Sequence, residues 1–207
     1  MRERVLRAAI AAVLGSALSV PALAQSSEPL HLECAGPFGS DSSEAFLAEV
    51  FGSENVVADM IDGPEGTTLD ATLVFPDDPA KRLVVLWQDE AARTRPAAII
   101  VRDDSSWIGP GGIQLGSGLA EVEAINGGPF TVLGFGWDYG GAASFPSGTL
   151  STIPGGCMMS LSFDLDWTLE YGPEFDAIMG DQQLKSDNAI LLGAHPTVSE
   201  IAVGYPQ

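Results

Sequence analysis

The chain has 207 residues, with nine Lys or Arg against 28 Asp or Glu, and a net charge of −19. That balance argues against a nucleic-acid partner, since phosphate contacts depend on Lys and Arg, and against an anionic lipid surface. It permits a protein partner with a basic surface or loosely held cations, but the plainer reading is solubility in the envelope.

Arg2, Arg4 and Arg7 open the chain, and Ala8 to Val20 is apolar but too short to cross a bilayer comfortably. Ala22, Leu23 and Ala24 then supply a small-x-small cleavage signature. The expectation is a signal peptide over residues 1–24, a mature start at Gln25, and no membrane span after cleavage. Cys34 follows His31, Leu32 and Glu33, not the small-residue run of a lipid-attachment site. The protein is thus read as periplasmic or secreted. Its two cysteines, Cys34 and Cys157, are predicted to form a disulfide in that oxidising setting. Neither lies in a CxxC pair or beside a His, so redox catalysis finds little support.

The first unit, residues 31–103, begins with a short strand candidate at His31 to Cys34 and a Gly-Pro turn. Asp41 with Glu44 reads as a helix start, Phe46, Leu47, Val50 and Phe51 as its buried stripe, and Gly52 as its stop. Strand-like runs follow at 55–61, 68–75, 82–87 and 97–102. Leu69, Ala71, Leu73 and Phe75 alternate with polar Asp70 and Thr72, as a half-buried strand should. Gly-Pro and Pro-Asp turns between the runs make an antiparallel meander the simplest connection.

The second unit, residues 107–207, repeats the plan. Ser42 to Gly52 is echoed by Ser117 to Gly127, with Ser, Ala and the closing Gly kept and Leu47/Val122 and Val50/Ile125 holding an apolar face. Strand candidates sit at 130–139, 142–145, 156–165 and 198–204. Residues 172–193 insert short helical turns near Phe175 to Met179 and Ser186 to Leu192. The predicted fold class is therefore α+β, built as two tandem helix-plus-antiparallel-β-meander repeats.

A short apolar strand, a Gly-Ser turn, a helix reading Leu-Ala-Glu-Val (Leu47 to Val50, Leu119 to Val122) and a closing Gly before meander strands form one pattern. It resembles the repeat unit of the β-lactamase inhibitory protein family and of the related small lipoprotein of the outer-membrane β-barrel assembly machinery. The resemblance implies an α+β fold and a non-catalytic, protein-binding role. No position matches the inhibitor's contact residues, so no target transfers with it.

Chemistry-bearing motifs are sparse. There is no GxSxG, and the bases are His31 and His195 alone. Two solitary His give no HExxH spacing, and Asp164, Asp166 and Glu170 lack the central Gly and regular oxygen ligands of a calcium loop. Gly109 to Gly112 contains no Lys and precedes a strand-like run, unlike a phosphate loop. No catalytic residue, metal or cofactor is assigned. The most unusual string runs from Gly134 to Gly141. If extended, it sets Phe135, Trp137 and Tyr139 on one face, opposite Gly134, Gly136 and Asp138. Two readings stand: the aromatic face plugs the core, or Phe135, Trp137, Asp138 and Tyr139 form a recognition surface. The functional expectation is an exported, non-catalytic protein that binds another envelope macromolecule, as inhibitor or assembly factor. Its alternatives are a periplasmic hydrolase using scattered carboxylates and a small-ligand-binding protein.

Overall fold

In a computed structural model the structure describes residues 29–206, so the expected signal peptide lies outside the described residues. Nine strands form one sheet. The first four, β1 (Val56–Asp62), β2 (Thr68–Val74), β3 (Leu83–Asp89) and β4 (Thr94–Arg102), run as a meander. The others are β5 (Thr131–Leu133), β6 (Ala142–Ser144), β7 (Met158–Asp164), β8 (Gln183–Lys185) and β9 (Thr197–Gly204). The spatial order is β1-β2-β3-β4-β9-β7-β6-β5-β8, and every neighbouring pair is antiparallel.

This overturns the expectation of two tandem α+β repeats. Ile99 to Arg102 of β4 pairs with Glu200 to Val203 of β9, which fuses both halves into a single sheet. The helices α1 (Glu44–Phe51), α2 (Leu119–Asn126) and α3 (Ala189–Gly193) have eight, eight and five residues, too few for a helical layer over each half. The halves also differ in path: β8 runs to the outer side of β5, and the chain then returns to the middle as β9. The echoed sequence encodes two similar helix starts, whereas strand partners are chosen by non-local pairing that the echo does not carry.

Local chemistry explains both longer helices. At α1 the cap is Ser43, not Asp41: its Oγ accepts from the Phe46 N–H at 3.2 Å, and Gly52 ends the helix at φ 89°. The predicted apolar stripe is only partly used. Leu47 is buried and Phe51 packs against Phe38, Phe75 and Trp107, but Phe46 and Val50 face solvent. α2 buries Leu119, Val122 and Asn126 and closes on Gly127 in the left-handed conformation. Asn126 accepts from the Leu150 N–H and donates to the Gly128 carbonyl, which satisfies its buried amide.

Strand residues alternate between two sheet faces. Val74, Val85, Ile99, Val101, Ile201, Val203, Leu161 and Val132 share one face and one core with Leu47, Val122 and Leu191 of the three helices. All helices therefore cover the same side. The Cys34–Cys157 disulfide has formed as predicted, with Cα atoms 5.9 Å apart, and ties the N-terminal segment to the start of β7. The predicted strand at His31 to Cys34 is instead a single parallel bridge between His31 and Ile108. No helix among the described residues is long and apolar enough to cross a membrane.

Candidate interaction surface

The string from Gly134 to Gly141 does not extend β5. The strand ends at Leu133, and Gly136 and Gly141 adopt φ of 85° and 77°. At Gly141 any Cβ would run into the Phe163 carbonyl oxygen, so glycine lets this turn lie against β7. The shared aromatic face expected from an extended string is consequently absent. Phe135 is buried in the core, and its N–H donates to the Ile178 carbonyl at 2.9 Å. Trp137 is half-buried and donates its Nε1–H to the Gly134 carbonyl at 2.7 Å. Tyr139, 50% exposed, meets the Trp137 ring edge-on at 5.4 Å, and Asp138 is exposed. The turn thus separates a core plug from a small surface pair.

A second aromatic group, missed in the sequence reading, follows β7. Trp167 is 52% exposed and donates to Asp164 Oδ1 at 2.8 Å, while Tyr171 stacks on Phe175 at 4.1 Å. Asp166 accepts from both the hydroxyl and the N–H of Thr168, and these bonds hold its carboxyl below the usual range. Two of the three acids that superficially suggested a calcium loop, Asp164 and Asp166, are thus tied to their own loop.

Catalytic geometry does not assemble around the histidines. His31 and His195 are both exposed, and no hydrogen bond among the described residues joins either imidazole to a serine or a carboxylate. Ser117 is buried, and its Oγ accepts from the Gln114 N–H at 3.4 Å. A cavity of about 430 Å³ lies beside the disulfide, lined largely by Leu32, Ile108, Ile153 and the backbone of Gly109 to Gly112. His31 and Glu33 are its titratable side chains.

The sheet face away from the helices is more distinctive. One row crosses six strands in register: Val57, Leu73, Val84, Ile100, Ala202 and Ser160. Beside it stand Ala71, Leu86, Ala98, Gly204 and Met158, the last 60% exposed. Ala71 and Val84 are buried, yet neither belongs to the core beneath the helices. No helix or strand among the described residues packs over this face. Small residues at Ala98, Ala202 and Gly204 leave a hollow of about 260 Å³, walled by Met158. A one-sided antiparallel sheet normally shows polar residues outward. Here β3 and β4 are apolar on both sides, and the signal was present in the sequence: Leu83 to Trp87 and Pro96 to Val101 are unbroken apolar runs, not alternating ones.

One charge pair sits at the margin of this face. Glu200 stands opposite Arg102, and burial pushes its carboxyl above the ordinary range; Arg102 opposes that shift and Asp103 adds to it. Compared with family models, with curated proteins and with solved structures, the chain finds no match.

Proposed function

We propose that this chain is an exported, non-catalytic protein that binds another macromolecule of the cell envelope, acting as an inhibitor or an assembly factor. The uncovered apolar sheet face carries this reading. Its residues range from buried Ala71 and Val84 to exposed Val57 and Met158, and a contiguous apolar patch with exposed members marks a site of contact. The centre of the face is poor in charge although the chain is strongly acidic, as the core of a protein interface is. The disulfide suits an oxidising compartment, in keeping with the predicted signal peptide. The hydrolase and small-ligand alternatives gain less, since polar side chains do not converge in the cavity by the disulfide.

The test is capture from an envelope extract with mature protein and with Met158→Arg and Ala202→Arg as baits. A partner held by the wild type and lost by both variants, at unchanged melting temperature, supports the reading. Equal capture by all three baits, or no specific partner, overturns it.

A further inference from the structure

The two edges of the sheet differ in what they leave unpaired. The strand at one end, β8, has three residues; the strand at the other, β1, has seven. Hydrogen bonds at both ends of the β1–β2 ladder fix its phase: Phe75 N–H donates to the Asn55 carbonyl at 2.7 Å, and Gly63 N–H to the Thr67 carbonyl at 2.8 Å. Bonded and non-bonded pairs alternate along an antiparallel ladder. Val57, Asp59 and Ile61 therefore bond to β2, and Ala58, Met60 and Asp62 turn their N–H and C=O groups outward. Consistently, the Met60 N–H bonds to the Asp59 carboxylate at 2.8 Å instead of to β2.

Proteins usually blunt such an edge with charged side chains, above all Lys, with Pro, a bulge or a covering segment. Val56–Asp62 contains neither Pro nor Lys, and its register with β2 is unbroken over the whole strand. Among the described residues, no strand pairs with its outer side. Its charged side chains are Asp59 and Asp62, both exposed and neither in a salt bridge among the described residues.

We propose that β1 is a strand-addition site for an extended, basic segment of a protein partner. The segment pairs its backbone with Ala58, Met60 and Asp62, taking the Met60 N–H from the Asp59 carboxylate, and brings Lys or Arg side chains to Asp59 and Asp62, one on each face of the strand. Charge selects this occupant over a second copy of the chain. Antiparallel pairing of two β1 strands would place acids near acids on molecules that each carry −19. The backbone edge of β1 borders the apolar face at Val57 but offers hydrogen-bonding groups in the plane of the sheet, and its use goes beyond the function proposed from that face.

The probe is an end-capped lysine–valine octapeptide with its lysines three positions apart, because Asp59 and Asp62 point to opposite faces of β1; it is titrated into the mature protein at low salt and followed by amide resonances. The expected result is perturbation of Ala58, Met60 and Asp62, with binding lost when alternate peptide nitrogens are methylated. Met60→Pro should weaken binding about tenfold, the effect of one lost hydrogen bond. The sheet should tolerate it, because this N–H lies outside the ladder. Met60→Ala, which keeps the donor, should bind like the wild type, and joint Asp59→Asn and Asp62→Asn should weaken binding severalfold. Equal binding of the methylated peptide or of a glutamate–valine peptide would overturn the proposal. So would an absence of shifts at β1, or self-association abolished by Met60→Pro. Met158→Arg should leave peptide binding unchanged, so failure here and failure of the apolar-face reading are separately visible.

Discussion

Thr72 is fully buried on the helix side of β2, where it accepts from Trp87 Nε1–H at 2.8 Å and donates to Glu44 Oε2 at 2.6 Å. Arg93, in the turn before β4, holds the same carboxylate at 3.2 Å and Asp70 at 2.7 Å, so one hydroxyl links α1 to β2 and β3. Thr72→Val keeps the shape but orphans the buried indole donor, and it should cost about 1–3 kcal/mol in urea unfolding. Thr72→Ser should recover most of that loss. Glu200 gives a second prediction at this scale. Its native carboxyl titrates higher than an unfolded glutamate because burial penalises the charge, Arg102 notwithstanding. The native state therefore binds more protons across the interval between the two, and stability falls as pH rises through it. Glu200→Gln should remove that slope and gain stability at neutral pH, with the advantage vanishing below the ordinary glutamate range. Thermal melts of both proteins over a pH series would check it; an unchanged slope would mean the carboxyl is better solvated than its position implies.

At the scale of elements, legibility followed how local each signal was. The first four strands and β6, β7 and β9 were readable within a few residues, because alternation or an apolar run bounded by Gly, Pro and Asp is a local code. β8 was overlooked, since Gln183–Lys185 is short and carries a single apolar residue, Leu184. The Gly134 to Gly141 string was read as a strand because its aromatics alternate, but positive φ at Gly136 and Gly141 turns the chain instead. Glycine content signalled that bend; the period-2 pattern masked it. The contact with β7 makes this testable. Gly141→Ala places a methyl group against the Phe163 carbonyl at an unfavourable φ, so it should cost at least about 1–3 kcal/mol. Gly128→Ala, with open space around the new Cβ, should be neutral or stabilise by about 0.4–1 kcal/mol. Similar melting temperatures for the two variants would show that the turn can move off β7.

For the whole molecule, the cysteine count was informative and the sequence echo misled. Two cysteines allow one intramolecular bond, but nothing local in Ile99 to Arg102 or Glu200 to Val203 announces that these stretches pair and close one sheet. The uncovered apolar face was half legible, in strands too apolar for a one-sided sheet, yet which residues line up across it required the register. The disulfide acts on this same global scale. It joins residues separated by 123 positions, and the chain-entropy argument assigns such a closure at most about 5 kcal/mol. That is a large share of an ordinary domain's stability, about 5–15 kcal/mol. The N-terminal segment has other anchors as well. Leu32 N–H donates to Ile108 O and Ile108 N–H to Leu30 O, both at 2.8 Å, and Phe38 packs edge-on against Trp107. A Cys34→Ala, Cys157→Ala protein should therefore still fold but melt markedly lower, and reductant should no longer affect its melting temperature. Amide exchange at Leu32 and Ile108 should quicken more than exchange in β3, because local release of the segment no longer has to break a covalent tie. Unchanged melting together with unchanged exchange would show that hydrogen bonds and the Phe38–Trp107 contact hold the segment alone.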